Sequence, residues 1–139
     1  MRQTRHLILA SVSILGVLGA QAADLKVIAN RSLTVSAVSA DELKAIFLVT
    51  KTSLTGGHVE PVLEKAGSTH EAFLRQYLGK TDAALNIYYR SLVFTGKAFM
   101  PKTLDSDADV AAYVAKTKGA IGYVRADTSA PGAKEIAIK

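Results

Sequence analysis

The stretch "EKAGSTHEAF", residues 64–73, carries the residue types best suited to holding a small anion. Gly67, Ser68 and Thr69 stand where an extended run hands over to a helix. The first N–H groups of a helix lack internal partners and point out along the positive end of its dipole. An oxyanion placed there accepts several of them at once. The Ser68 and Thr69 hydroxyls add donors without charge, and Gly67 admits close approach to the backbone. The same residues also read as an ordinary helix start. Ser68 with Glu71 three positions later fits a capping box, in which the serine oxygen serves its own helix. His70 falls in the first turn, where it either contributes to an anion when protonated or faces solvent.

Other chemistry is sparse. Besides His6 the histidines are His58 and His70, and neither belongs to an H-E-x-x-H pattern. Ser68, Thr69 and His70 are consecutive, so their side chains leave a helix in different directions and do not form a nucleophile–base pair. Asp105, Asp107 and Asp109 alternate as in a calcium loop, but Val110 and Lys116 occupy positions that such a loop gives to glycine and glutamate. An acidic first turn on a capped helix accounts for them. The tyrosines at 77, 88, 89, 113 and 123 fall mostly on apolar faces and suit core packing. No catalytic residue, cofactor or metal ligand is assigned, and the sequence is read as non-enzymatic.

Several elements must position the Gly67–Thr69 junction. "DLKVIAN", residues 24–30, reads as a first strand, and residues 33–38 as a short extended segment. Ser39 with Glu42 forms a capping box for a helix ending near Leu48, with Leu43, Ile46 and Phe47 on one face. "VTKTSLTGG" is a turn-rich loop. "HVEPVLEK" alternates like a strand, and Pro61 places it at an edge or at a strand end. The second helix starts at Ser68 and stops at Gly79. Thr81 caps a third helix through Phe94, "KAFMPKTLDS" is a connecting loop, and Ser106 caps a fourth helix closed by Lys116, Lys118 and Gly119. "AIGYV" and "KEIAIK" are the closing strands. Alternating strands and helices imply an α/β fold, with a mixed, mostly parallel sheet and helices on both faces.

Residues 1–22 read as a secretory signal: Arg2, Arg5 and His6 lead, Leu7 to Gly19 are uncharged, and Ala20-Gln21-Ala22 supplies the cleavage site. The apolar run falls short of the roughly 20 residues that span a bilayer. Residues 23–139 then form a single exported domain, with the periplasm as its destination and no membrane partner after cleavage. The protein has no cysteine, so packing alone stabilises it. The formal net charge is +5, of which Arg2 and Arg5 supply two. So mild an excess suits anion attraction rather than nucleic-acid binding.

"SADELKAIFLVTKTS", "VEPVLEKAGSTHEAFLRQYL" and "FTGKAFMPKTLDSDADVAAYVAKTKGAIGYV", in that order, resemble the phosphate-type periplasmic substrate-binding proteins of ABC transporters. The resemblance implies one lobe of a fold whose full-length members close two lobes on a ligand. It also implies phosphate or a related oxyanion at Gly67, Ser68 and Thr69. Family members place a glycine between the two hydroxyls and an arginine shortly before them. Here the preceding residues are Val62-Leu63-Glu64-Lys65. Glu64 repels an anion if it points inward, while Lys65 and Lys51 are the candidate charge donors. The alternative is an interaction or sensory module that kept the lobe and lost the ligand. Such a module would bind a protein partner, or a second copy as a homodimer, through the face lacking a second lobe.

Overall fold

A computed structural model describes residues 24–139. The expected signal segment, residues 1–22, lies outside the described residues. Strands β1 (Leu25–Asn30), β2 (Ala37–Val38), β5 (Glu60–Glu64), β6 (Lys102–Leu104), β7 (Ala120–Arg125) and β8 (Ala133–Ile138) form one sheet in the order β2-β8-β1-β7-β5-β6. β2–β8, β7–β5 and β5–β6 pair parallel, while β1 runs antiparallel to both β7 and β8. The sheet is thus mixed and mostly parallel. Strands β3 (Ser53–Leu54) and β4 (Gly57–His58) form a small hairpin where residues 49–57 were expected to be loop, and it takes His58 from the start of the strand expected after it.

Period-two alternation divides the sheet residues between two cores. Val27, Ala29, Leu63, Ile121 and Tyr123 face one side with Phe47 of α1 (Ala40–Phe47), Phe73 of α2 (Ser68–Phe73) and Leu85 and Tyr89 of α3 (Asp82–Phe94). Ile28, Val62, Ala120 and Val124 face the other, under Val110, Ala111 and Val114 of α4 (Asp107–Lys116). Helices therefore cover both faces. Gly122 permits the close seat of α4: a Cβ there would lie 2.9 Å from Val110 Cγ1. Asn30 Nδ2 donates to the Val114 and Ala115 carbonyls, satisfying the end of that helix.

The expected caps at Ser39, Thr81 and Ser106 are present, each accepting a first-turn N–H. The expected cap at Ser68 is not. Gly67 occupies the N-cap with φ 111° and ψ 175°, no side chain caps the helix, and Ser68 is its first residue. α2 continues into a π-helical segment, Leu74–Leu78, that closes with the Gly79 N–H bonded to the Leu74 carbonyl. β5 is internal rather than an edge strand. Pro61 pairs with Ile121 on the β7 side, while β6 joins only from Val62 onward. The proline thus sits at the strand end, where its missing N–H interrupts no ladder. Lys102–Leu104, expected as part of a loop, pairs as β6 because β5 offers it a free edge.

Candidate functional site

β5 and β6 run parallel and end side by side, with Glu64 opposite Leu104. α2 begins just beyond β5, and α4 just beyond β6. The starts of both helices therefore meet at the carboxyl ends of two parallel strands, the usual place for a ligand in an open α/β sheet. Successive residues at the start of α2 turn about 100° apart. Ser68 is exposed, Thr69 half-buried and His70 buried. The first intrahelical bond runs from the Glu71 N–H to the Gly67 carbonyl. Among the described residues, no hydrogen-bond partner stands on the Ser68, Thr69 or His70 N–H, or on the Ser68 and Thr69 hydroxyls.

Ser68 and Thr69 line two clefts. One, of about 380 Å³, is also bordered by Asp24, Leu25, Ala72, Arg75 and Arg125. Arg75 lies two helical turns beyond Ser68 on the same face, and Arg125 ends β7. Arg125 Nε is 3.1 Å from Asp127 Oδ1 in a solvent-exposed pair, and such a pair holds its members only weakly. This cleft thus combines free helix amides, two hydroxyls and two guanidinium groups, the donors that planar or tetrahedral oxyanions accept best.

The second cleft, about 270 Å³, is bordered by Glu64, Gly67, Ser68, Thr69, Asp105 and Asp107. Glu64 does point inward. It is only 4% exposed, and its Oε1 has no hydrogen-bond partner. Burial, then the neighbouring Asp107 carboxylate as hydrogen-bond acceptor and as like charge, pushes Glu64 up to about 8. Below that pH its carboxyl is neutral, so the repulsion expected of Glu64 is switched off at neutral pH.

The remaining sequence candidates lie elsewhere. The reading of His70 as solvent- or ligand-facing is corrected: its ring is 3% exposed, with Nδ1 against the Tyr123 hydroxyl and Nε2 2.8 Å from Asp82 Oδ1. Only its backbone N–H remains at the helix start. Lys65 is exposed and borders neither cleft. Lys51 Nζ lies 3.7 Å from Glu42 Oε2 and borders a separate groove. The cationic groups at the junction are instead Arg75 and Arg125, which the sequence reading passed over. The 68, 72, 75 spacing was a usable signal for Arg75; nothing local pointed to Arg125. Among the described residues no three His, Cys, Asp or Glu side chains are grouped to hold a metal ion, and no helix is long and apolar enough to cross a membrane.

No protein-family model matches the sequence, and no curated protein matches it either. Solved structures do. An ABC-type phosphate transport receptor from Vibrio cholerae superposes with TM-score 0.64 at 17% identity, over 83% of this chain and 46% of its own. A structure from Clostridium perfringens with bound phosphate, assigned to the substrate-binding proteins of phosphate ABC transporters, gives 0.65 at 16%, over 83% and 44%. PstS from Borrelia burgdorferi gives 0.63 at 12%, over 84% and 47%. The chain spans less than half the length of each of these proteins. The fold expected from the sequence, part of a phosphate-type binding protein, is therefore the fold found.

Proposed function

We propose that this chain is a non-catalytic solute-binding domain that holds phosphate or a related oxyanion at the start of α2. The ligand accepts hydrogen bonds from the Ser68 and Thr69 amides and hydroxyls, and Arg75 and Arg125 neutralise its charge. One observation carries the reading: the unpartnered donors of Ser68 and Thr69 open onto the same cleft as two arginines. The bound phosphate of the Clostridium perfringens structure makes phosphate the first ligand to try. We place the domain in the periplasm, delivered by the signal expected over residues 1–22. One lobe leaves the ligand partly hydrated, so binding is weaker than in a pocket that encloses it.

Isothermal titration with phosphate, sulfate and molybdate tests this. Saturable heat with at least one of them, lost in Ser68→Ala/Thr69→Ala, is the expected result. No heat at millimolar concentration, or full binding by the double variant, overturns it.

A further inference from the structure

The second cleft is acidic where the first is basic. Glu64, Asp105 and Asp107 border it together with Ser68 and Thr69. Along β5, Val62 faces α4 and Leu63 the opposite core, so Glu64 returns to the α4 side. Asp107 opens α4, and its Oδ1 accepts the Arg125 N–H at 2.8 Å. Among the described residues, no lysine, arginine or histidine lies within salt-bridge distance of Glu64, Asp105 or Asp107. Asp105 and Asp107 suit the start of a helix. Glu64 has no such reason to be there. It ends a strand, it is buried, and its Oε1 meets no donor. A buried carboxyl with neither cation nor donor is costly, and an apolar side chain would close the strand without that cost.

A cation that arrives with a ligand supplies what Glu64 lacks. Among the described residues the acids are not grouped to share a metal ion. A primary ammonium needs no such grouping, because it donates three separate hydrogen bonds. A lone cation is opposed here by the positive ends of α2 and α4, so the ammonium is one tethered to an anion. Ser68 and Thr69 border both clefts, so an oxyanion on their donors lies at the rim of the acidic one. About 270 Å³ has room for a short alkyl arm and its ammonium group.

We infer that the ligand is a zwitterion: a phosphate monoester or phosphonate whose short alkyl arm carries a primary ammonium group, received by Glu64 and Asp107. This rests on the reading of Ser68 and Thr69 as the oxyanion site. Glu64 faces Asp107 of α4 and Asp105 just before it; the Tyr123 hydroxyl of β7 takes its N–H, and the neighbouring Lys65 is exposed. The ammonium therefore displaces the proton of Glu64, and its binding strengthens as pH rises toward 8.

Titration calorimetry at pH 8 with phosphoethanolamine, ethyl phosphate and inorganic phosphate tests this. Phosphoethanolamine is expected to bind about tenfold tighter than ethyl phosphate, which differs only in lacking the ammonium. The advantage should shrink at pH 6 and disappear in Glu64→Gln. Asp107→Asn, which keeps an oxygen for the Arg125 N–H, should reduce it. Glycerophosphoethanolamine separates two sources of the same chemistry: binding as tight as phosphoethanolamine assigns it to a lipid headgroup, and weaker binding to a free monoester. Equal affinities for phosphoethanolamine and ethyl phosphate, or an advantage that survives Glu64→Gln, overturn the zwitterion and leave the oxyanion site standing. Absence of heat with all three ligands overturns both.

Discussion

The buried imidazole of His70 receives the Tyr123 hydroxyl on Nδ1. The same hydroxyl oxygen accepts the Glu64 N–H at 3.0 Å, which leaves its proton free for the ring. Nε2 then carries the hydrogen donated to Asp82 Oδ1. One side chain of β7 thereby fixes the last residue of β5 and the first turn of α2, and the imidazole carries the link on to α3. Phe73 stacks on the Tyr123 ring with centroids 3.9 Å apart, so the start of α2 is held by packing as well as by polar contacts.

Removing the hydroxyl tests that arrangement. Tyr123→Phe keeps the ring but leaves a buried N–H and a buried ring nitrogen without partners. Such losses cost about 1–3 kcal/mol. The urea midpoint should fall with an unchanged slope, and phosphate binding should weaken because the helix start loosens. A midpoint equal to that of the unaltered protein would show that the hydroxyl holds nothing.

Glu64 makes stability depend on pH in a direction opposite to most carboxylates. Its ordinary value of 4.5 applies in the unfolded chain, and burial beside Asp107 raises it to about 8 in the fold. The native state therefore binds the proton more tightly. That contribution is complete below about pH 4.5 and disappears as pH rises through about 8. Denaturation at pH 6 and pH 9 should show the protein losing stability, of the order of a few kcal/mol, relative to Glu64→Gln. Parallel pH profiles for the two proteins would remove Glu64 as the cause.

The same titration should reach the ligand. Above about pH 8 an ionised Glu64 faces the second cleft, on the far side of Ser68 and Thr69 from the two arginines, and its charge opposes an anion bound to those two residues in the first. Phosphate affinity should fall between pH 7 and pH 9, and Glu64→Gln should flatten the fall. An equally steep loss in Glu64→Gln would assign it to other groups.

Arg75 and Arg125 supply the positive charge in the proposed site. A hydrogen bond from a charged donor contributes about 1.5–3 kcal/mol when shielded, and less where both groups are exposed as here. Arg75→Ala and Arg125→Ala are each expected to weaken phosphate about tenfold by titration calorimetry. Lys65→Ala and Lys51→Ala should leave it unchanged, because neither lysine borders the clefts at Ser68. The reverse ranking would return the site to the lysines.

Local chemistry wrote much of this fold into the sequence. Ser39, Thr81 and Ser106 each precede an apolar helical stripe, and each caps a helix. Ser68 shows why the same rule can mislead. It has Glu71 three residues on, yet the cap falls to Gly67, whose φ no other residue adopts at ease. Long-range partners wrote the rest. β6 is three residues, with no pattern of their own, and it exists because β5 lies beside it. Arg125 reaches the site only through the pairing of β7 with β1 and β5. The burial of His70 depends on where β7 places Tyr123, and the raised value of Glu64 on where α4 places Asp107.

Gly67 ties backbone geometry to the proposed function. Its φ of 111° with ψ of 175° belongs to a region essentially reserved for glycine, where another residue costs about 1–3 kcal/mol. A Cβ at Gly67 would meet nothing within 4 Å, so the cost there is conformational rather than steric. Gly79 is the internal control. Its φ of 62° and ψ of 29° are left-handed but open to other residues at about 1–2 kcal/mol, and a Cβ there is equally unobstructed. Both Gly67→Ala and Gly79→Ala should lower stability, the first somewhat more. Only Gly67→Ala should also lower phosphate affinity, because relief of its strain turns the Ser68 amide away from the cleft and lets Ser68 take over the cap. Thermal melts with and without phosphate separate the two effects: a ligand-induced rise in Tm that survives Gly67→Ala undiminished would disconnect this backbone geometry from binding.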